Sequence, residues 1–77
     1  MAPTTMKHAE KYARLAVLTG LPDLGTIVDP ARLERLVAAA ESMLAHATLE
    51  CPLRYRVACK EYAEAAGYRL EHPEEIK

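Results

Sequence analysis

The stretch Asp29-Pro30-Ala31-Arg32-Leu33-Glu34-Arg35-Leu36-Val37-Ala38-Ala39-Ala40-Glu41-Ser42-Met43-Leu44-Ala45-His46-Ala47 decides the fold. Asp29 is of the residue type that accepts hydrogen bonds from the free N–H groups at a helix start. Pro30 follows at the first helical position, where its missing N–H costs nothing. Leu33, Leu36, Val37, Ala40, Met43, Leu44 and Ala47 recur at three- and four-residue spacing, which places them on one helical face. The stretch predicts a helix over 30–47.

Downstream, only Thr48 to Cys51 separates this helix from Pro52. A connection that short makes the next helix antiparallel to the first. The pattern predicts that helix over 52–66, with Gly67 at the left-handed position beyond its end. Its apolar arc is Tyr55, Ala58, Cys59, Tyr62, Ala63, Ala65 and Ala66. Tyrosine hydroxyls need partners when buried, so both rings are expected near the bundle edge. Residues 68–77 read as a tail, broken at His72-Pro73.

Upstream, Gly20 to Asp29 reads as a loop whose Leu21, Leu24, Ile27 and Val28 plug one end of the bundle. A strand at 26–28 would lack a pairing partner. A first helix is predicted over 5–19, with Thr4 or Thr5 as its cap and Gly20 beyond its end. Met6, Ala9, Ala13, Ala16 and Val17 form one apolar face, and His8, Tyr12 and Leu15 an adjoining stripe. The reading is an all-α chain: a small three-helix bundle, 1–77 as a single helical domain, which dimerises.

Composition narrows the function. The chain has 77 residues and a net charge of −1, and its hydrophobic residues make up 51%. Fourteen of those are alanine, and there is no Phe or Trp, so the core is thin. Small domains bury the smallest share of their surface and often compensate by pairing. No apolar run is long enough to cross a membrane. No targeting segment is legible, so a cytoplasmic protein is expected. Two cysteines are too few for a stapled secreted scaffold. If Cys51 and Cys59 share a helix, eight residues of rise hold them roughly 12 Å apart, too far for a disulfide.

Charge is spread evenly along the chain, so nucleic acid is not the expected partner. The alternative on that side is a helical dimer using Lys7, Lys11 and Arg14 as a basic stripe. A helix-turn-helix is suggested by the Ala63 and Gly67 spacing, but Pro73 would interrupt the recognition helix. No C-x-x-C or His pair at ligand spacing marks a metal site, and no cofactor is implied. Cys51, with His46 upstream and Arg54 one turn on, is the best thiol or metal constellation, since a helix start lowers a thiol pKa. A chain this small has little room for a catalytic pocket.

What remains is surplus apolar surface. Ala31, Ala38 and Ala45 recur every seven residues beside Ser42, off the main face of their helix, and form a candidate dimer interface. Exposed alanines also serve helix propensity alone. Leu53 and Val57, bordered by Arg54 and Lys60, form a candidate protein-binding patch, apolar at the centre and charged at the rim. The competing expectation is that Tyr68, Leu70 and Ile76 fold back over them. The expected function is that of a small non-catalytic regulatory or adaptor protein acting on another protein. A compact inhibitor carried by a phage or mobile element is one concrete form.

Overall fold

The computed structural model describes the backbone of residues 2–72 and the side chains of residues 8–72. It consists of three helices, α1 (Ala2–Thr19), α2 (Pro30–His46) and α3 (Leu53–Glu71), with a short 3₁₀ turn at Leu24–Thr26 between the first two. No strand occurs among the described residues, so 26–28 does not pair. α3 is the central element. It shares its largest contact with α2 and a smaller one with α1, while α1 also packs on the 3₁₀ turn.

The α2 start matches its reading. The Asp29 carboxylate accepts a hydrogen bond from the Ala31 N–H at 3.1 Å, and Pro30 opens the helix. Leu33, Leu36 and Ala40 are buried, and Val37, Met43, Leu44 and Ala47 are half-buried. The helix ends at His46, whose ring Nδ1 lies 2.8 Å from the Ser42 carbonyl oxygen.

Gly20 closes α1. Its φ of 77° is the left-handed conformation, and its N–H donates to the Ala16 carbonyl at 2.8 Å. At the other end α1 starts at Ala2, so Thr4 and Thr5 lie inside the helix and do not cap it. The buried face also differs from the expected one. Tyr12, Leu15 and Thr19 are buried, whereas Ala9, Ala13 and Val17 are exposed, Val17 at 83%. Met6 belongs to that expected face, but its side chain lies outside the described residues. α1 has a neighbour on one side only, and a Tyr–Leu stripe removes more apolar area from water than an alanine stripe does.

The largest departure is in α3, which runs through Gly67 to Glu71 instead of stopping at Ala66. Gly67 has no positive φ, so it is neither a cap nor the turn of a helix-turn-helix. A glycine inside a helix costs up to about 1 kcal/mol. The residues beyond it outweigh that. Arg69 is buried, its guanidinium donates to the Leu24 carbonyl, and Leu70 packs against the core. Tyr62 departs as well: its ring is wholly buried rather than at the edge. Its hydroxyl donates to the Pro22 carbonyl, which supplies the partner a buried phenol needs.

The loop does plug the bundle. Leu24 and Ile27 are buried and Leu21 packs against the core, while Val28 stays exposed. The core joins Tyr12 and Leu15 of α1, Leu24 and Ile27 of the loop, Leu33, Leu36 and Ala40 of α2, and the alanine-and-Tyr62 face of α3.

Candidate protein-binding site

Two hydrogen bonds tie the loop after the first helix to α3. Arg69 to Leu24 and Tyr62 to Pro22 place the loop after α1 beside the C-terminal half of α3. His8 and Tyr68 stand at the far end of that contact, with ring centroids 5.5 Å apart. His8 and Tyr12 of α1 thus lie against the C-terminal half of α3. Leu53 lies nine residues before Tyr62, roughly 13 Å along the axis.

Leu53 and Val57 are exposed, at 65% and 44%. Leu49, in the turn just before α3, is 90% exposed. Met43 and Leu44 of α2 are half-buried and lie outside the core cluster, which ends at Ala40 and Ala58. Helical spacing sets Arg56 and Lys60 on one flank of the Leu53–Val57 pair and Arg54 and Glu61 on the other. Arg54 and Lys60 are exposed and Arg56 is half-buried, with its Nε shielded from water and without a hydrogen-bond partner among the described residues. The expected cover is absent as far as it is described. Tyr68 and Leu70 sit on the same helix, more than ten residues beyond Val57, beside α1 and the core. Ile76 lies outside the described residues.

The second expected site is open too. Ala31, Ala38, Ser42 and Ala45 are all exposed on the side of α2 away from the core. Ser42 lies within 3.5 Å of the His46 ring, so the small-residue stripe ends in a side-chain pair.

The thiol constellation does not assemble. His46 is tied back to its own helix at Ser42, and the Cys51 sulfur lies 3.9 Å from the Thr48 hydroxyl. Pro52, not Cys51, precedes the first helical residue. Cys51 is half-buried, Cys59 is buried, and both thiols are free. Burial, then a hydrogen bond to Cys59, pushes the Tyr55 phenol above its ordinary value. Among the described residues no three His, Cys, Asp or Glu side chains group as a metal cage. Lys11 and Arg14 of the basic stripe are exposed, and the Lys7 side chain lies outside the described residues.

The structure also builds a cleft that the sequence pattern did not announce. It holds about 220 Å³ between α1 and α3, and its walls are His8, Lys11, Tyr12, Glu64, Ala65 and Tyr68. His72 stacks on Tyr68 at 4.1 Å, and the Arg69 guanidinium lies 5.6 Å from the Tyr12 ring centroid. The available signal is two aromatic pairs at four-residue spacing, His8 with Tyr12 and Tyr68 with His72. A helix that ends at Ala66 hides them as a group. Small-molecule sites usually enclose roughly 300 Å³ or more, so this cleft reads as an aromatic seam joining two helices.

No helix among the described residues is long and apolar enough to cross a membrane. No family model matches the chain, no curated protein matches it, and no solved structure matches it.

Proposed function

We propose that this chain is a small non-catalytic regulatory or adaptor protein that acts by binding another protein through the N-terminal half of α3. One observation carries the reading. The apolar pair Leu53 and Val57 stands in water, and Leu49 extends it in the preceding turn. Scattered apolar residues on a surface are ordinary, but neighbouring ones rimmed by charge mark interaction sites. In the same reading the chain forms a homodimer through the exposed Ala31, Ala38, Ser42 and Ala45 stripe, which lies on the opposite side of α2 from the core and leaves α3 open.

Leu53→Asp tests the first part. At its exposure the substitution leaves the far-ultraviolet circular dichroism helical and the unfolding midpoint within a few degrees of the parent. It abolishes capture of the partner by the tagged protein in extracts of its native host. Undiminished capture by a folded Leu53→Asp protein removes this reading.

A further inference from the structure

The α3 patch is more specific than an apolar surface, because three cations and a single acid, Glu61, flank its apolar pair on the helix. From Leu53 to Lys60 the helix carries Arg54, Arg56 and Lys60 and no acid. Glu61 lies one turn beyond Val57 and Glu50 follows Leu49 in the preceding turn, so cations outnumber acids around the patch by three to two. None of the three cations forms an ion pair among the described residues. The half-buried Arg56 keeps its Nε unpaired, although a desolvated guanidinium N–H without an acceptor is costly. The positive end of the α3 dipole lies here as well, and no side chain caps it.

We propose that the occupant of this patch is an acidic amphipathic helix of a different protein, laid along the N-terminal half of α3 over the exposed Leu53 and Val57. This rests on the protein-binding reading and names the chemistry of the partner. The apolar centre asks for a helix with leucine-like residues at i, i+3, i+4 and i+7, the usual mode of recognition in a hydrophobic groove. The rim asks for carboxylates beside them, which would give Arg54, Arg56 and Lys60 charge-assisted partners.

A second copy of this chain does not supply such a helix. α1 carries Lys7, Lys11 and Arg14 against Glu10, a net charge of +2. α2 balances Arg32 and Arg35 with Glu34 and Glu41, a net charge of 0. α3 carries Arg54, Arg56, Lys60 and Arg69 against Glu61, Glu64 and Glu71, a net charge of +1. No helix of the chain is acidic, so self-association through this face would set like charges together.

The test is a selection on the full chain from displayed amphipathic helices about as long as α3. Leucine is fixed on one face, and the remaining positions are drawn freely from Glu, Gln and Lys. The expected result is enrichment of Glu over Lys, with the enriched peptide bound about tenfold or more weakly by Leu53→Asp. The double variant Arg54→Glu, Lys60→Glu should reverse the preference toward Lys, which a merely unfolded protein would not do. Absence of enrichment, enrichment of Lys, or binding that survives Leu53→Asp overturns the proposal. So does Leu53-dependent binding to phosphatidylcholine vesicles only when they contain phosphatidylserine, which would make the occupant an anionic membrane surface. Where the native partner is still lost on Leu53→Asp but no acidic preference emerges, the partner chemistry fails and the protein-binding reading stands.

Discussion

Tyr62 sits where three elements meet. Its ring fills the centre of the core, its hydroxyl donates to the Pro22 carbonyl, and Asp23 and Arg32 lie close enough to act on its charge. Burial is the main reason its phenol is pushed up to about 12, with Asp23 raising it further and Arg32 opposing. The consequence for stability has a definite sign. Between pH 10, the ordinary value, and 12, the unfolded chain releases this proton while the folded chain keeps it. The contribution is whole below pH 10 and is lost as pH rises through 12. Urea unfolding followed across that window should show a steeper loss of stability in the parent than in Tyr62→Phe. Near neutral pH the same variant should be less stable by about 1 kcal/mol, because the Pro22 carbonyl loses its donor. Parallel curves across the alkaline window would show that Tyr62 does not carry the effect. The place of Tyr62 on the apolar arc of α3 could be read from its spacing, but neither its full burial nor its partner could. Pro22 is 40 residues away in sequence, and nothing local announces that contact.

At the scale of elements, the instructive helix is α3. Ala65-Ala66-Gly67 looks like a helix end, because glycine is the usual residue at the left-handed position. Gly20 occupies that position and Gly67 does not. The residues that come next make the difference. After Gly20 come Leu21 and Pro22, which leave the helix and turn into the core plug. After Gly67 come Tyr68, Arg69 and Leu70, which at helical spacing reach His8, the Leu24 carbonyl and the core. Continuing the helix satisfies all three, and the glycine cost is overridden. This gives opposite expectations for one substitution. A methyl group at Gly67 meets no atom within 4 Å, and the backbone there is helical. Gly67→Ala should therefore stabilise by about 0.5–1 kcal/mol, whereas Gly20→Ala should destabilise by about as much, since φ is positive there. Thermal or urea unfolding of the two variants checks the pair, and equal signs would contradict the helix extent.

For the whole molecule, the deciding fact is that α3 is the central helix, packed more extensively on α2 than on α1. One face of α3 and the outer side of α2 stand in water at once. The first is the proposed partner site and the second the proposed dimer face. If the alanine stripe pairs two chains, Ala38→Glu or Ala45→Glu should shift the mass seen by light scattering from dimer to monomer. These positions are exposed, so each variant should remain helical. A mass unchanged in both variants would reject the stripe as an interface.

The residues alone determine much of this protein. The Asp29-Pro30 start of α2, its single apolar face, the left-handed close of α1 at Gly20 and the plug formed by Leu24 and Ile27 all arise from local rules. Each depends on spacing, capping or backbone freedom within a few residues. Tertiary structure decided the rest. Which stripe of α1 is buried, whether α3 stops at Gly67, and whether Leu53 and Val57 are covered depend on contacts 40 or more residues apart. Those contacts set how the helices slide along one another, and local pattern carries no information about that offset. A hydrophobic fraction of 51% on three short helices is distributed unevenly once they are packed. It closes a core at one end and leaves apolar surface beside three cations at the other.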